Sequence, residues 1–197
     1  MPSYPGFAMG SAKRADLQVG NRVRPTGTAR VRQTPAMRTR RRWVRVLTTA
    51  VRVEESIAFE VPRSAEEVWD FMWDPQSLFV IEPDVTYAGT LDGTPARQVG
   101  EVQVSMHRTG LERQLTALEV VAMEAGRTAM TRTLTANLPS GGRLDVEPTG
   151  ERSCRLTQRF HTDVPAGVEV GYVDIQRAGL REATLQLREQ VLRHFGN

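Results

Sequence analysis

The chain of 197 residues holds one cysteine, Cys154, and one lysine, Lys13. A single cysteine excludes an internal disulfide framework and a cysteine-based zinc site, and fits a reducing compartment, the cytoplasm. No apolar run approaches the ~18 residues that a membrane span requires. Histidines are as sparse: His107, His161 and His194 stand alone, without ligand spacing around them, so no metal site is expected. The sequence has no P-loop, no G-x-G-x-x-G, no H-E-x-x-H, no G-x-S-x-G and no C-x-x-C, so no cofactor is expected either.

Acidic residues are almost missing from one end. Residues 1–45 carry eleven Lys/Arg against Asp16 alone, a net +10, while residues 46–197 carry fifteen against twenty-two, a net −7. The basic pI therefore belongs to the leading segment, and a mildly acidic folded part argues against specific nucleic-acid binding. The near replacement of lysine by arginine, with much Ala, Gly and Thr, points to a GC-rich and hence bacterial coding sequence.

Residues 1–45 show no sustained period. Pro2, Pro5, Pro25 and Pro35 alternate with Gly6, Gly10, Gly20 and Gly27, and such a stretch cannot bury enough surface to offset its ordering entropy, so it is expected to be disordered. It lacks the apolar core of a secretory signal, and Arg45 and Arg52 interrupt what would follow a twin-arginine motif at Arg40–Arg42. A solvated extension, with Met37 as an alternative initiator, is the simplest reading. Weak contact of the tail with an anionic surface, or an organelle transit peptide in a eukaryote, are the alternatives.

What is present begins at Val51. Val51, Val53, Ile57, Phe59 and Val61 alternate with polar positions, the pattern of a half-buried strand that only Glu55 breaks. Ser64-Ala65-Glu66-Glu67 reads as a capping box opening a short helix through Val68, Trp69, Phe71 and Met72. Asp74-Pro75 opens a second short helix to about Ile81. Turn signals then recur between β-type segments at 85–91, 97–108, 112–124, 127–136, 143–147 and 153–164, an antiparallel meander. Val173, Leu180, Thr184, Leu187 and Val191 mark one face of a long C-terminal helix.

This order predicts an α+β domain over 46–197: a curved seven-stranded antiparallel sheet wrapped around the long helix, two short helices plugging one end, and an apolar cavity between. Val53–Val61, then Ser64-Ala65-Glu66-Glu67-Val68-Trp69 and Asp74-Pro75, resemble the opening of the START and birch-pollen-allergen superfamily (SRPBCC), which has the helix-grip fold. The likeness covers about residues 50–196 and is nearest to the bacterial polyketide cyclase/dehydrase and lipid-transport group. It implies binding of hydrophobic small molecules such as lipids or polyketides, in some members with cyclisation or dehydration of a bound polyketide. The superfamily has no universal catalytic residue to carry over.

Candidate site residues therefore come from polar positions on faces that otherwise read as apolar. Met130, Arg132 and Leu134 share one face of the fifth strand; Leu156, Gln158 and Phe160 share one of the last; Val85, Tyr87 and Leu91 share one of the second. If these faces line the cavity, Tyr87, Arg132 and Gln158 point into it, and Leu180 and Thr184 meet them from the helix. Tyr87 and Arg132 are the catalytic candidates, able to polarise a carbonyl, and an inward Arg132 needs a carboxylate such as Glu55. Arg132 facing solvent or pairing internally is the alternative. His107 shares a face with Glu101, Gln103 and Ser105, opposite Val102, Val104 and Met106, which places it on the outer side. Cys154 is expected to be buried, Trp73 or Phe79 to edge the cavity mouth, and Gly179 to mark a close approach to the helix.

Three functions follow: binding of a lipid-like or polyketide-like molecule; a cofactor-independent polyketide cyclase/aromatase or dehydrase; and a protein-interaction module with a filled core. Oligomeric state is left open.

Overall fold

A computed structural model describes residues 45–196, and the basic segment placed at 1–45 lies outside the described residues except for Arg45. The first strand, β1 (Val51–Val61), ends at Pro62 and leads to α1 (Ala65–Trp73). The expected capping box is formed: Glu67 N–H donates to Ser64 Oγ at 3.3 Å and Ser64 N–H donates to Glu67 Oε2 at 3.1 Å. The Ser64 hydroxyl, donating to Glu67 Oε2 at 2.8 Å, and then the Ser64 N–H hold the Glu67 carboxyl below its ordinary range. A 3-10 turn over Pro75–Ser77 follows, capped by the Asp74 carboxylate accepting from Gln76 N–H at 2.9 Å, and runs into α2 (Leu78–Ile81).

The meander comprises β2 (Val85–Thr90), β3 (Val102–Thr109), β4 (Glu112–Glu124), β5 (Thr128–Thr133), β6 (Ser140–Gly150) and β7 (Ser153–Val164). All pairs are antiparallel in the order β1-β7-β6-β5-β4-β3-β2, so β1 and β2 form the two edges. The expected seven-stranded helix-grip architecture is the observed one. Several boundaries differ from the sequence reading: β5 ends at Thr133, short of Leu134, β6 runs on to Gly150, and two starts shift. β3 starts five residues later than expected, after a loop in which Arg97 has φ 53. β6 starts earlier, because Gly141 and Gly142 are strand rather than turn: a Cβ at Gly141 would run into the Thr131 carbonyl, so only glycine admits β5 this closely.

The long helix α3 (Val170–Phe195) packs on β1 and, less extensively, on β7. Val173, Leu180, Thr184, Leu187, Val191 and Phe195 are its buried stripe. Leu187, Val191 and Phe195 join Phe59, Val146 and Leu156, together with Trp69 and Trp73, which stack at 5.5 Å. Val173 and Leu180 form a second cluster with Val53 and Val164. Ahead of β1, Val46 bridges to Glu169 and Leu47 exchanges backbone bonds with the 167–168 turn, tying the start of the described chain to the entry of α3. No helix among the described residues is long and apolar enough to cross a membrane.

Candidate functional site

Residues paired across a ladder share a face of the sheet, so register decides which side chains point toward α3. Phe59 pairs with Leu156, Leu156 with Val146, Gln158 with Leu144, and Leu144 with Ala129, and all of these are buried. They define the inner face. Continuing across the sheet, Thr131 pairs with Gly142 and with Val120, Thr133 with Leu118, Leu118 with Gln103, and Gln103 with Thr90.

This register corrects several expectations. Met130 and Arg132 pair with Arg143 and Gly141, one position off the buried row, and lie on the outer face. The Arg132 guanidinium is bonded to Glu119, not Glu55, at 2.5 Å, with 61% of its side chain exposed. Leu134 is 50% exposed. Tyr87 also faces outward: the ladder slips between Val85 and Tyr87, so Val85 stays inside opposite His107 while Tyr87 pairs with outward Met106 and is 52% exposed. The two candidates for polarising a carbonyl thus sit on the wrong side of the sheet. Leu156 and Gln158 are on the inner face and buried, with Phe160 half-buried beside them, and Leu180 and Thr184 face them from α3. Glu55 is also on this side, half-buried opposite Phe160. Cys154 is buried, as its alternation indicates. A Cβ on Gly179 would meet nothing within 4 Å, so no close approach explains that glycine.

His107 is the other reversal. Glu101, Gln103, Ser105 and His107, which by alternation read as an outer polar face, are the inner face of β3, and Val102, Val104 and Met106 point out. Two polar constellations result. In the first, Glu101 is 2% exposed and its carboxylate accepts from four donors. They are the Trp73 indole N–H at 3.0 Å, the Arg97 backbone N–H at 2.7 Å, Thr90 Oγ at 3.2 Å and Gln103 Nε2 at 3.3 Å. This carboxylate joins the end of α1, β2, β3 and the loop before β3.

In the second, Ser105 Oγ lies 2.9 Å from His107 Nε2, and His107 Nδ1 lies 3.2 Å from Glu82 Oε2. Burial pushes the Glu82 carboxyl up, the His107 charge opposes this, and Asp84 adds to it; the net direction is upward. Ser105 is nearly buried, while the His107 and Glu82 side chains are 20% and 42% exposed. Thr116 and Gln114, opposite Ser105 and His107 on β4, are half-buried.

Because α3 lies over β1 and β7, the inner faces of β4 and β5 are left partly open, and Leu118, Thr131 and Thr133 are half-buried. Between the buried apolar residues Leu156 and Leu180, with half-buried Phe160, and a polar wall on β3 (Gln103, Ser105, His107), the inner face of the sheet thus carries a half-buried strip over β4 and β5. Two depressions in the described surface lie outside it. One of about 390 Å³ runs along Ala178, Arg181, Glu182 and Leu185 on the solvent side of α3, and one of about 140 Å³ is lined by Glu124, Arg127, Arg143 and Asp145.

Sequence reasoning misses the polar wall, although four polar residues at alternate positions of one strand are its visible signal. Alternation assigns them to solvent because the opposite face of β3 is apolar.

Comparison with known proteins follows the fold. A family model described as polyketide cyclase / dehydrase and lipid transport matches residues 50–192. No curated protein matches. Among solved structures, the chain is similar to the Zhui aromatase/cyclase from a Streptomyces species, with TM-score 0.59 and 14% identity over 75% of this chain and 94% of that one. It is also similar to a START superfamily protein from Mycobacterium smegmatis, with TM-score 0.58 and 16% identity over 73% and 97%. A truncated norcoclaurine synthase from Thalictrum flavum gives TM-score 0.56 and 13% identity over 73% and 93%. At these identities the likeness is one of fold.

Proposed function

We propose that this chain, which belongs to the polyketide cyclase / dehydrase and lipid transport family, binds an apolar small molecule in the groove between the sheet and α3. Its aliphatic or aromatic body lies against the half-buried Phe160, Leu118 and Thr131, backed by the buried Leu156 and Leu180, and its carbonyl or hydroxyl meets the inner face of β3. The observation that carries this reading is the inversion of β3, which places Ser105 and His107 inside while Val104 and Met106 face out. Burying polar side chains costs free energy unless they are partnered, so a polar strip beside an apolar wall is a surface suited to an amphipathic ligand.

The test is native mass spectrometry of the gently purified chain, followed by solvent extraction and displacement of an apolar fluorescent dye. A co-purifying apolar molecule, or dye binding that Leu118→Trp blocks from the half-buried inner face of β4, is expected. A clean mass with no dye binding would overturn the reading in favour of a protein-interaction module. A polyketide cyclase or dehydrase activity is the second reading, supported by the family match and by His107 on the polar wall. It rests on β3 and not on Tyr87 or Arg132.

A further inference from the structure

Building on the groove reading, we infer that Ser105, His107 and Glu82 form a proton relay, and that it holds a ligand bearing an acidic hydroxyl, a phenol or the enol of a 1,3-dicarbonyl, as its oxyanion. The three groups come from two elements and stand in sequence, at 2.9 Å from Ser105 Oγ to His107 Nε2 and 3.2 Å from His107 Nδ1 to Glu82 Oε2. Ser105 is 6% exposed and the His107 and Glu82 side chains are 20% and 42% exposed, so the row leads from the buried inner face of β3 to solvent.

The carboxylate decides the direction of the bonds. Glu82 accepts, so His107 carries its proton on Nδ1 and presents the Nε2 lone pair to the Ser105 hydroxyl. Ser105 is then a donor to His107, and its oxygen lone pairs are left to accept from a ligand. When a ligand O–H reaches Ser105, its proton passes to Oγ as the serine proton passes to Nε2. The electron pair of the O–H bond stays on the ligand oxygen, and the imidazolium formed is stabilised by Glu82. One proton moves from ligand to His107; no bond to carbon changes and nothing is oxidised or reduced. The charged groups near His107 are Glu82 and, beyond it, Asp84; Gln114 faces it from β4 and Val85 from β2. Arg108, next on β3, turns away and donates to the Gly110 carbonyl.

Acyl transfer by Ser105 is not what the geometry favours. The backbone of β3 is paired on both sides, and the Gln103 amide already donates to Trp73 O and Glu101, so no pair of donors waits for a tetrahedral oxyanion.

The experiment uses 4-nitrophenol, whose phenolate absorbs visible light while the phenol does not, with the full chain and its S105A, H107Q and E82Q variants. Binding is read by equilibrium dialysis and ionisation by absorbance, at a pH where the free probe is mostly phenol. The wild type is expected to bind the probe as phenolate, lowering its apparent pKa by at least about one unit, tenfold in the equilibrium. H107Q is expected to retain the probe as phenol, and S105A and E82Q to lose most of the shift. A measurement on the wild type alone protects against variants that fail to fold: the His107 ring signals in NMR should move to those of imidazolium when the probe binds. Probe bound as neutral phenol by the wild type, phenolate retained by a folded H107Q, or a His107 ring that stays neutral overturns the relay. Dialysis that retains an apolar dye but no 4-nitrophenol overturns the relay alone. Retention of neither overturns the groove reading with it.

Discussion

The indole N–H of Trp73, the last residue of α1, donates to Glu101 Oε2 at 3.0 Å, across 28 residues of chain. That bond fixes the plug of short helices to the start of β3, and Arg97, Thr90 and Gln103 complete the shell around the carboxylate. Replacing Glu101 by alanine leaves four donors without their acceptor at a buried position. Glu101→Ala is expected to lower stability by about 3 kcal/mol, read as a shifted urea midpoint at unchanged slope. A midpoint like that of the wild type would mean that water replaces the carboxylate without cost.

Arg132 and Tyr87 face away from the groove, and their substitution should show it. Arg132→Ala removes an exposed ion pair with Glu119 and is expected to change stability by less than about 1 kcal/mol. Leu156→Ala, at a fully buried position, is expected to cost about 3 kcal/mol. Neither Arg132→Ala nor Tyr87→Phe should alter dye binding in the groove, measured by fluorescence titration. A tenfold loss of affinity in either variant would return those residues to the site.

The Cys154 thiol is pushed up to about 11, first by burial and then by the charge of Glu60. The thiolate is the reactive form, so a thiol reagent such as DTNB should leave the native chain unlabelled at neutral pH and label one group per chain in urea. Prompt labelling of the native protein would contradict the packing around β7.

Gly179 sits inside α3 where an added methyl group meets no atom within 4 Å. Gly179→Ala is expected to stabilise the chain by about 0.5–1 kcal/mol through the helix preference alone, seen as a raised Tm. A lowered Tm would reveal a neighbour at this position.

Stability should respond to pH in opposite senses at two carboxylates. Glu82 has its pKa raised in the fold by burial, so the folded chain holds that proton more tightly than the unfolded one. Its contribution is full below the ordinary value of 4.5 and is lost as pH rises through the folded value. Asp163 has its pKa lowered, chiefly by the bond from Arg52, so its contribution is present above the ordinary value of 3.8 and is lost as pH falls through the folded one. Urea titrations across this range should show that Glu82→Gln removes the decline on the rising side and that Asp163→Asn removes the loss on the acid side. Curves of the variants parallel to that of the wild type would exclude both roles.

Much of the element order is legible in the sequence. The alternation of Val51 to Val61, the capping box at Ser64 and Glu67 and the stripe from Val173 to Val191 are local or strictly periodic signals. They locate β1, α1 and α3 within a residue or a few. Facing is legible where one side of a strand is mostly apolar, as on β7, where Cys154 and Leu156 are buried and carry Gln158 with them. It is not legible on β2, β3 and β5. On β3 the apolar residues Val102, Val104 and Met106 point outward, and on β5 the small residues Ala129, Thr131 and Thr133 point inward while Met130 and Arg132 do not. On β2 the slip after Val85 inverts every side chain beyond it.

What the sequence by itself determined is therefore the framework: which segments are strand or helix, where they stop, and that a long amphipathic helix must lie on a sheet to bury its stripe. Those properties follow from backbone preferences and short-range hydrogen bonds, which a single strand or helix carries within itself. Which residues line the groove was decided only by tertiary structure. The side a strand presents is set by its register with the neighbouring strands and by where a ladder slips. The partner of Arg132, the shell around Glu101 and the row from Ser105 to Glu82 therefore come into being only once the sheet has assembled.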